Sequence, residues 1–182
     1  GIRDRSVSRG LGDVYKRQRM DLETYVQRYY LERILYAANR RFQEMSAGQF
    51  ELRMYDLEKA GEGKNRGLDL MVYSTVTGKE REVRTLSGGE SFMAALSLAL
   101  GMADQIQESS AAIHLDVMFI DEGFGALSEE TRNQAIAVLN ELSGGKRMVG
   151  IISHVSELKA QVGTKLVVTR TDKGSHAHWE MD

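Results

Sequence analysis

The sequence predicts an α/β fold, a mainly parallel sheet flanked by helices, with a small antiparallel sheet and a long helix in addition. Three observations predict this class. Apolar residues recur at helical spacing over residues 20–47, and short alternating segments separated by turn residues follow over 49–84. From residue 90 onward, near-continuous apolar strands alternate with helices, a pattern typical of a parallel sheet covered on both faces.

The first elements are a helix and a three-stranded meander. The helix is predicted over Met20–Ala47, and Gly48 marks its end. It is either an amphipathic surface helix or the base of a returning coiled-coil arm, because it is too short for its periodicity to prove supercoiling. The sign-mixed run Lys79–Arg84 is interpreted as a solvated strand face. Strands are predicted at Gln49–Tyr55, Leu68–Val76 and Glu80–Arg84.

The second half of the sequence alternates helix and strand. Residues 92–103 are apolar on nearly every side, so the first of its helices is expected to be fully buried. The helices are predicted at Glu90–Ile106, Glu129–Leu142 and Val155–Val162. Buried strands are predicted at Leu115–Asp121 and Arg147–His154, and a third strand at Lys165–Arg170. Asp172-Lys173-Gly174 is predicted to turn into a last strand that ends at Trp179–Met181.

Composition excludes several function classes. The 182-residue chain suits one domain or part of a larger one. Its 24 basic and 26 acidic residues give a formal charge of −2, so DNA binding would need a local patch rather than bulk charge. The absence of cysteine excludes disulfides and thiolate metal sites and is typical of a reducing cytoplasm. No stretch has the hydropathy of a membrane span, and no membrane partner is expected.

A first candidate site is the turn Leu86-Ser87-Gly88-Gly89-Glu90, which precedes a predicted helix. Its two glycines let the backbone approach a ligand closely, and the free N–H groups at a helix start carry positive partial charge. The Ser87 hydroxyl adds a donor. These features favour phosphate binding. The alternative is an ordinary capped loop in which the serine is the N-cap.

The segment Leu142–Gly145 repeats the first four letters of this turn and provides an internal comparison. It ends a predicted helix and precedes a strand, so its glycines are interpreted as a C-cap. The four letters alone are therefore a weak signal. The first copy differs by its position ahead of an apolar helix, because such a helix can hold the turn rigidly.

A second candidate site lies where an apolar strand ends in Asp121 and Glu122. Ligands of open α/β sheets bind at the carboxyl ends of the strands. Because successive strand residues face opposite sides, the two carboxylates can take separate roles. One can hold a magnesium ion while the other orients or deprotonates water. The alternative, an acidic pair that starts a loop, is disfavoured by the Gly123–Ser128 segment and the helix that follow.

His154 ends the next predicted strand and should lie beside the carboxylate pair if the two strands are neighbours. A lone histidine is more often structural than catalytic. At this edge of a sheet, however, its imidazole could bond to a terminal phosphate. The other histidines, His114, His176 and His178, lack the spacing typical of metal ligands.

In their order and spacing, LSGGE at 86–90, FIDEGFGAL at 119–127 and ISH at 152–154 resemble the C-terminal lobe of ABC-type P-loop NTPase heads. Among these heads, the sequence from Asp21 to about Asp182 is similar to SbcC, the ATPase subunit of the bacterial SbcCD nuclease. Three parts are therefore expected. They are a non-native or disordered tail at 1–18, a coiled-coil base helix at 19–48 and a C-terminal ABC ATPase lobe at 49–182.

The resemblance also implies roles for single residues. Leu86–Glu90 would be the signature motif, which binds the γ-phosphate of ATP held by the opposite subunit. Asp121 would be the Walker B aspartate on the magnesium side, Glu122 the catalytic glutamate and His154 the switch histidine. The D-loop would comprise Gly125, Ala126, Leu127 and Ser128, with serine where such proteins often have aspartate.

The implied cofactors are ATP and Mg²⁺, and the implied function is one half of an ATP-hydrolysing head in DNA double-strand break repair. The implied partners are the N-terminal lobe of the same protein, a second SbcC-like head, an SbcD-like nuclease subunit and double-stranded DNA. The expected location is the bacterial cytoplasm, at the nucleoid. Two alternatives remain: the head of another coiled-coil ATPase of the SMC or RecN kind, and a non-catalytic interaction module.

No Walker A motif is present, because the Gly-Lys pairs at 63–64, 78–79 and 145–146 all lack its flanking residues. In SbcC-like proteins this motif lies in an N-terminal lobe. The chain by itself is therefore not expected to bind or hydrolyse ATP well. Without that lobe, it is also expected to expose a sheet edge and an apolar patch.

Overall fold

The structure is a computed structural model that describes residues 22–56, 68–110, 115–143, 147–172 and 174–181. The tail expected at residues 1–18 lies outside these ranges. The chain divides into two compact units, Gly1–His114 and Leu115–Asp182, and each unit is described by itself. Within the described ranges, no helix combines the length and hydropathy that a membrane span requires.

The first unit contains the predicted long helix and the predicted antiparallel meander. The strand order is β1-β2-β3, with both neighbouring pairs antiparallel. Its third strand ends earlier than expected because the chain enters a 3₁₀ turn, closed by the bond from the Leu86 N–H to the Val83 carbonyl at 3.1 Å. The elements are α1 (Leu22–Met45), β1 (Phe50–Met54), β2 (Leu70–Ser74), β3 (Lys79–Glu82), the 3₁₀ turn (Val83–Thr85) and α2 (Gly88–Ser109).

The core of this unit lies where α1 crosses α2 and covers β1. The crossing is close at Gly101, where a Cβ atom would lie 2.6 Å from the Ile34 carbonyl oxygen and 2.8 Å from the Ala38 nitrogen. Beside it, Arg41 and Asp104 form a largely buried ion pair at 2.7 Å. The buried apolar side chains of α1, β1 and β2 are Leu35, Ala38, Phe42, Met45, Leu52 and Val72.

A side-chain amide joins α1 to the sheet. The Asn39 amide nitrogen donates to the Leu52 carbonyl, and the Leu52 N–H donates to the Asn39 amide oxygen, both at 2.8 Å. Asn39 therefore satisfies both backbone groups of one residue of the edge strand, as a neighbouring strand would. The helix is thereby fixed to the sheet by a directional contact as well as by apolar packing.

The expectation that α2 is fully buried is wrong for one strip of its surface. Met93, Leu96 and Leu100 are buried, whereas Ala95, Ala99 and Met102 are exposed. The three exposed residues are spaced at i, i+4 and i+7, so they form one strip along the helix. An apolar composition on every side therefore does not guarantee burial within this chain.

The second unit is built on a parallel strand pair, as the sequence predicts. Strands β4 and β5 pair in register from Val117 with Met148 to Asp121 with Ile152. The helix between them, α3, contacts β5 and makes the connection a βαβ crossover. The elements are β4 (Val117–Asp121), a 3₁₀ turn (Phe124–Ala126), α3 (Glu129–Ser143), β5 (Met148–Ile152), α4 (Ser156–Lys159), β6 (Thr164–Thr171) and β7 (Gly174–Met181).

Two predictions for the C-terminal part need correction. The strand expected at Lys165–Arg170 does not join the parallel sheet, because β6 pairs antiparallel with β7 along its whole length. The two strands are separated by only two residues, and a short connection of this kind permits antiparallel but not parallel pairing. The helix expected at Val155–Val162 is a single turn, Ser156–Lys159.

The predicted covering of the parallel strands on both faces is also wrong. Phe119 is 68% exposed, and Val117, Met148 and Ile152 on the same face are exposed as well. On the hairpin, the cross-strand pair Leu166 and Trp179 is likewise exposed. The exposed apolar patch expected from the sequence is therefore present among the described residues.

Gly101→Ala should lower the free energy of unfolding by about 1–3 kcal/mol, because the added methyl group meets backbone atoms of α1 that cannot rotate away. Urea unfolding followed by circular dichroism measures the change. Gly163→Ala is the matched control, since no atom lies within 4 Å of the place that its methyl group would take, and it should change stability by less than about 1 kcal/mol. Equal effects of the two substitutions would contradict the close crossing.

Candidate functional site

The Leu86–Glu90 turn forms the start of α2 and is closed by reciprocal hydrogen bonds. The Glu90 N–H donates to the Ser87 hydroxyl oxygen at 3.3 Å, and the Ser87 N–H donates to the Glu90 carboxylate at 2.7 Å. This arrangement is a capping box, which explains why the helix begins at Gly88. The alternative noted from the sequence, serine as the N-cap, is thus the local structure of this turn.

The capping box determines which donors of the turn remain available. The N–H groups of Ser87 and Glu90 are used within it, whereas those of Gly88 and Gly89 have no acceptor among the described residues. The Ser87 hydroxyl accepts a hydrogen bond there and also faces the Glu90 carboxylate, and it can donate its hydrogen to a ligand by rotating away from that carboxylate. Two backbone donors and one hydroxyl at the positive end of a 22-residue helix are suited to bind phosphate.

Arg81 supports this turn from β3, a contact that sequence reasoning missed. Its guanidinium donates to the Glu90 carboxylate at 3.0 Å and to the Thr85 carbonyl at 2.9 Å. The interpretation of Lys79–Arg84 as a solvated face is therefore wrong for Arg81. No local spacing could have indicated the contact, because it joins a strand residue to a helix residue nine positions away.

The same contacts alter the ionisation of Glu90. Partial burial alone would raise the pKa of its carboxyl group, but hydrogen bonds from the Ser87 backbone and the Arg81 side chain outweigh burial and lower it. The Glu90 carboxylate is therefore held as an anion whose oxygens face donors of the protein. Glu90 fixes the turn, and a phosphate would meet the donors of the neighbouring residues.

Asp121 and Glu122 lie at the carboxyl end of β4, as predicted. Asp121 is the last strand residue and pairs with Ile152, while the Glu122 N–H donates to the Ile152 carbonyl at 2.9 Å. Glu122 then adopts a left-handed conformation with φ 57°, and Gly123 follows with φ 95°. A left-handed glutamate is uncommon and strained, and such residues cluster at functional sites.

His154 lies against Glu122, so the predicted neighbourhood of the histidine and the acidic pair is confirmed. Its Nδ1 is 3.0 Å from one carboxylate oxygen and 2.9 Å from the other. Both side chains are open to solvent, with the histidine 82% and the glutamate 48% exposed. The contact follows from the parallel pairing of β4 and β5, which brings the ends of both strands to one edge.

The predicted D-loop residues form the connection from Glu122 to α3. Gly125 and Ala126 belong to a 3₁₀ turn, Leu127 is buried, and Ser128 precedes the helix. The Ser128 hydroxyl accepts from the Thr131 N–H at 3.3 Å, so serine acts as a helix cap in this position. The serine found where aspartate is common thus has a local structural role.

The acidic pair fits a magnesium ion that is shared with a phosphate. No group of three or more candidate metal ligands occurs among the residues that the structure describes. Asp121 and Glu122 can supply one or two carboxylates, and Mg²⁺ bound to a nucleotide normally takes its remaining ligands from water and phosphate. The donor set therefore fits a nucleotide-bound ion and does not form a cage that holds a metal alone.

Known proteins share this fold. One solved structure, from work on ATP-driven dimerization and DNA-stimulated activation of SMC ATPases, aligns with a TM-score of 0.64 at 18% identity. The alignment covers 86% of this chain and 88% of that chain. The chain thus has the fold of an SMC-type ATPase head lobe, and the predicted α/β class is confirmed.

More particularly, residues 66–141 match the family model described as SbcC/RAD50-like, Walker B motif. The chain is 48% identical over 157 residues to the SbcC subunit of the nuclease SbcCD from Vibrio cholerae. It is 48% identical over 147 residues to the protein of the same name from Treponema pallidum. The resemblance to SbcC is therefore confirmed.

These matches cover most of this chain but little of the relatives. They include 86% and 81% of the chain, yet only 15% and 14% of the two relatives. The matched family segment contains the Leu86–Glu90 turn and Asp121–Glu122, whereas His154 follows it. The family match thus spans two of the three candidate functional elements of the chain.

Replacing Glu90 with Gln should reduce stability at about pH 7 by about 1 kcal/mol, because it removes the anion from the capping box. The pKa of Glu90 is lowered from its ordinary value of 4.5, so its stabilising effect is complete above that value. The effect is lost as the pH falls through the lowered pKa. The difference between the two proteins should therefore shrink at about pH 2.

Unfolding curves at both pH values measure this difference. Glu44→Gln is the control, since Glu44 is an exposed glutamate on α1 and lies outside the capping box. A destabilisation by Glu90→Gln that is the same at both pH values would contradict the assigned ionic contact.

Proposed function

We propose that this chain is the part of an SbcC-type ATPase head that supplies the signature motif, the Walker B carboxylates and the switch histidine. The contact between Glu122 and His154 at the carboxyl ends of two parallel strands carries the proposal. It places a base and a second proton-carrying group at the edge where α/β sheets bind their ligands. A structural ion pair on a surface would not need a strained backbone at Glu122.

In the proposed reaction, Glu122 orients the attacking water and accepts its proton. Asp121, one residue earlier, would hold Mg²⁺, which supplies charge neutralisation at the phosphates when bound. His154, which lies within hydrogen-bond distance of Glu122, would bond to the terminal phosphate and fix the carboxylate relative to it. The open position of both side chains leaves space for the nucleotide.

The signature turn is proposed to act on a nucleotide whose P-loop lies on another polypeptide segment. Gly88, Gly89 and Ser87 offer donors for a γ-phosphate, but the sequence has no P-loop lysine. The chain spans about 15% of the Vibrio cholerae relative. We propose that an N-terminal lobe of the same protein provides the P-loop and covers the exposed apolar face of β4 and β5.

The proposed partners follow from the name of the relatives, which marks them as one subunit of the nuclease SbcCD. They are a second SbcC-like head, an SbcD-like nuclease subunit and double-stranded DNA, with ATP binding joining the heads and hydrolysis releasing them. A net charge of −2 means that DNA would be held by a local surface of the complete assembly. The head of an SMC protein is the second candidate, because the fold alone is shared with SMC ATPases.

Glu122→Gln should lower ATP turnover at least about 100-fold while ATP-induced association of the heads remains. The substitution keeps the size of the side chain and removes the proton acceptor. The assay combines the chain with a separately expressed N-terminal lobe that carries a P-loop. It measures phosphate release and, by light scattering, dimer formation.

Two comparisons make this test specific. The chain without the added lobe should show no turnover above background. Glu141→Gln, an exposed glutamate on α3, should leave turnover of the combined lobes unchanged. Undiminished hydrolysis by Glu122→Gln would mean that another group activates the water.

A further inference from the structure

We infer that Arg81 is a positioning residue, which holds the Leu86–Glu90 turn in the shape that presents its donors to a phosphate. The inference rests on the proposed function of the turn. Arg81 lies outside the Leu86–Glu90 turn, on strand β3. Arg81 does not need to touch the nucleotide, because its two bonds lead to the turn itself.

The contacts of Arg81 clamp the turn at both of its ends. One guanidinium nitrogen donates to the carbonyl of Thr85, just before the turn, and the other donates to Glu90, its last residue. The planar guanidinium fixes the separation and orientation of its two acceptors, which a single ammonium cannot do. The intervening residues are therefore held between two points of one rigid group.

The clamp also determines the direction of the Glu90 carboxylate. One of its oxygens accepts from Arg81 at 3.0 Å, and the other accepts from the Ser87 N–H at 2.7 Å. When one oxygen is fixed, rotation of the carboxylate is restricted and the second oxygen stays on the Ser87 N–H. Loss of Arg81 would therefore release Ser87, although these two residues do not bond to each other.

Arg81 is itself supported by the sheet. Its strand pairs with β2, where Val72 opposite Arg81 is fully buried. Its guanidinium also lies 5.5 Å from the centre of the Phe50 ring. These contacts restrict the side chain even though it is 36% exposed. The three-stranded sheet thus serves as the base on which the turn is held.

The chain provides a matched comparison three residues further on. Arg84 is 81% exposed and forms an ion pair with Glu82, next to the turn in sequence but without a contact to it. Arg81→Gln and Arg84→Gln remove the same charge from the same segment. A difference between their effects therefore reports the contact of Arg81 with the turn rather than the loss of net charge.

Amide hydrogen exchange of the 182-residue chain, followed by NMR, tests the inference directly. Arg81→Gln should accelerate exchange of the Ser87 amide at least about fivefold, while exchange of the Val72 amide stays unchanged. Arg84→Gln should leave both amides unaffected. Arg81→Lys should give an intermediate rate, because an ammonium cannot fix both acceptors. An unchanged Ser87 rate in Arg81→Gln, or equal acceleration by Arg84→Gln, would overturn the inference.

A double-substitution cycle distinguishes the proposed contact from a general loss of folding. If Arg81 acts through Glu90, Arg81→Gln combined with Glu90→Gln should accelerate Ser87 exchange no more than the stronger single substitution does. Additive acceleration would assign the effect of Arg81 to another contact and would overturn its role as a clamp on Glu90.

ATP turnover of the chain combined with the P-loop-bearing lobe separates this inference from the proposed function. Arg81→Gln should raise the KM for ATP at least about fivefold, as expected when binding donors are displaced, with a smaller change in kcat. Arg84→Gln should change neither constant. If Ser87 exchange responds as expected while KM responds to neither Arg81→Gln nor Ser87→Arg, the clamp stands and the proposed role of the turn fails.

Discussion

The close crossing of α1 and α2 at Gly101 is the constraint on which the first unit depends. A side chain at this position would meet backbone atoms of Ile34 and Ala38, so the two helices can approach only at a glycine. The crossing orients α2, and the N-terminus of α2 is the candidate phosphate site. Asn39 joins α1 to β1, and Arg81 joins β3 to the turn. Helix, sheet and turn are therefore linked by directional contacts in addition to apolar packing.

The second unit depends on the parallel register of β4 and β5. Pairing Asp121 with Ile152 brings the residues that follow both strands to one edge, where Glu122 meets His154. The left-handed backbone at Glu122 turns its side chain away from the direction that a continued strand would impose. Two carboxylates with different surroundings thus follow from a single backbone turn. Glu122 and His154 are exposed at this edge, and the apolar side chains on one face of β4 and β5 are exposed as well.

Local patterns predicted much of this structure, and long-range contacts account for what they missed. The three longer helices, the meander, the crossover and the neighbourhood of His154 follow from periodicity and from the rule for parallel strands. The position of β6 outside the parallel sheet did not, because the alternation of helix and strand favoured a third parallel strand. The turn predicted at Asp172–Gly174 agrees with the antiparallel pairing of β6 with β7. Burial of α2 and β4 was overestimated, because an apolar composition does not show whether other residues of the chain pack against the segment. Arg81 was missed because its partner lies on another element.

The central claim is that this chain supplies half of a nucleotide site whose other half lies on a P-loop lobe. An ATP analogue with a photoreactive group on the γ-phosphate tests it most directly, in heads assembled with Glu122→Gln so that the nucleotide persists. We expect the analogue to label the peptide that contains Ser87, and we expect Ser87→Arg to abolish this labelling. Strong labelling elsewhere in the chain, with none at residues 86–90, would contradict the claim.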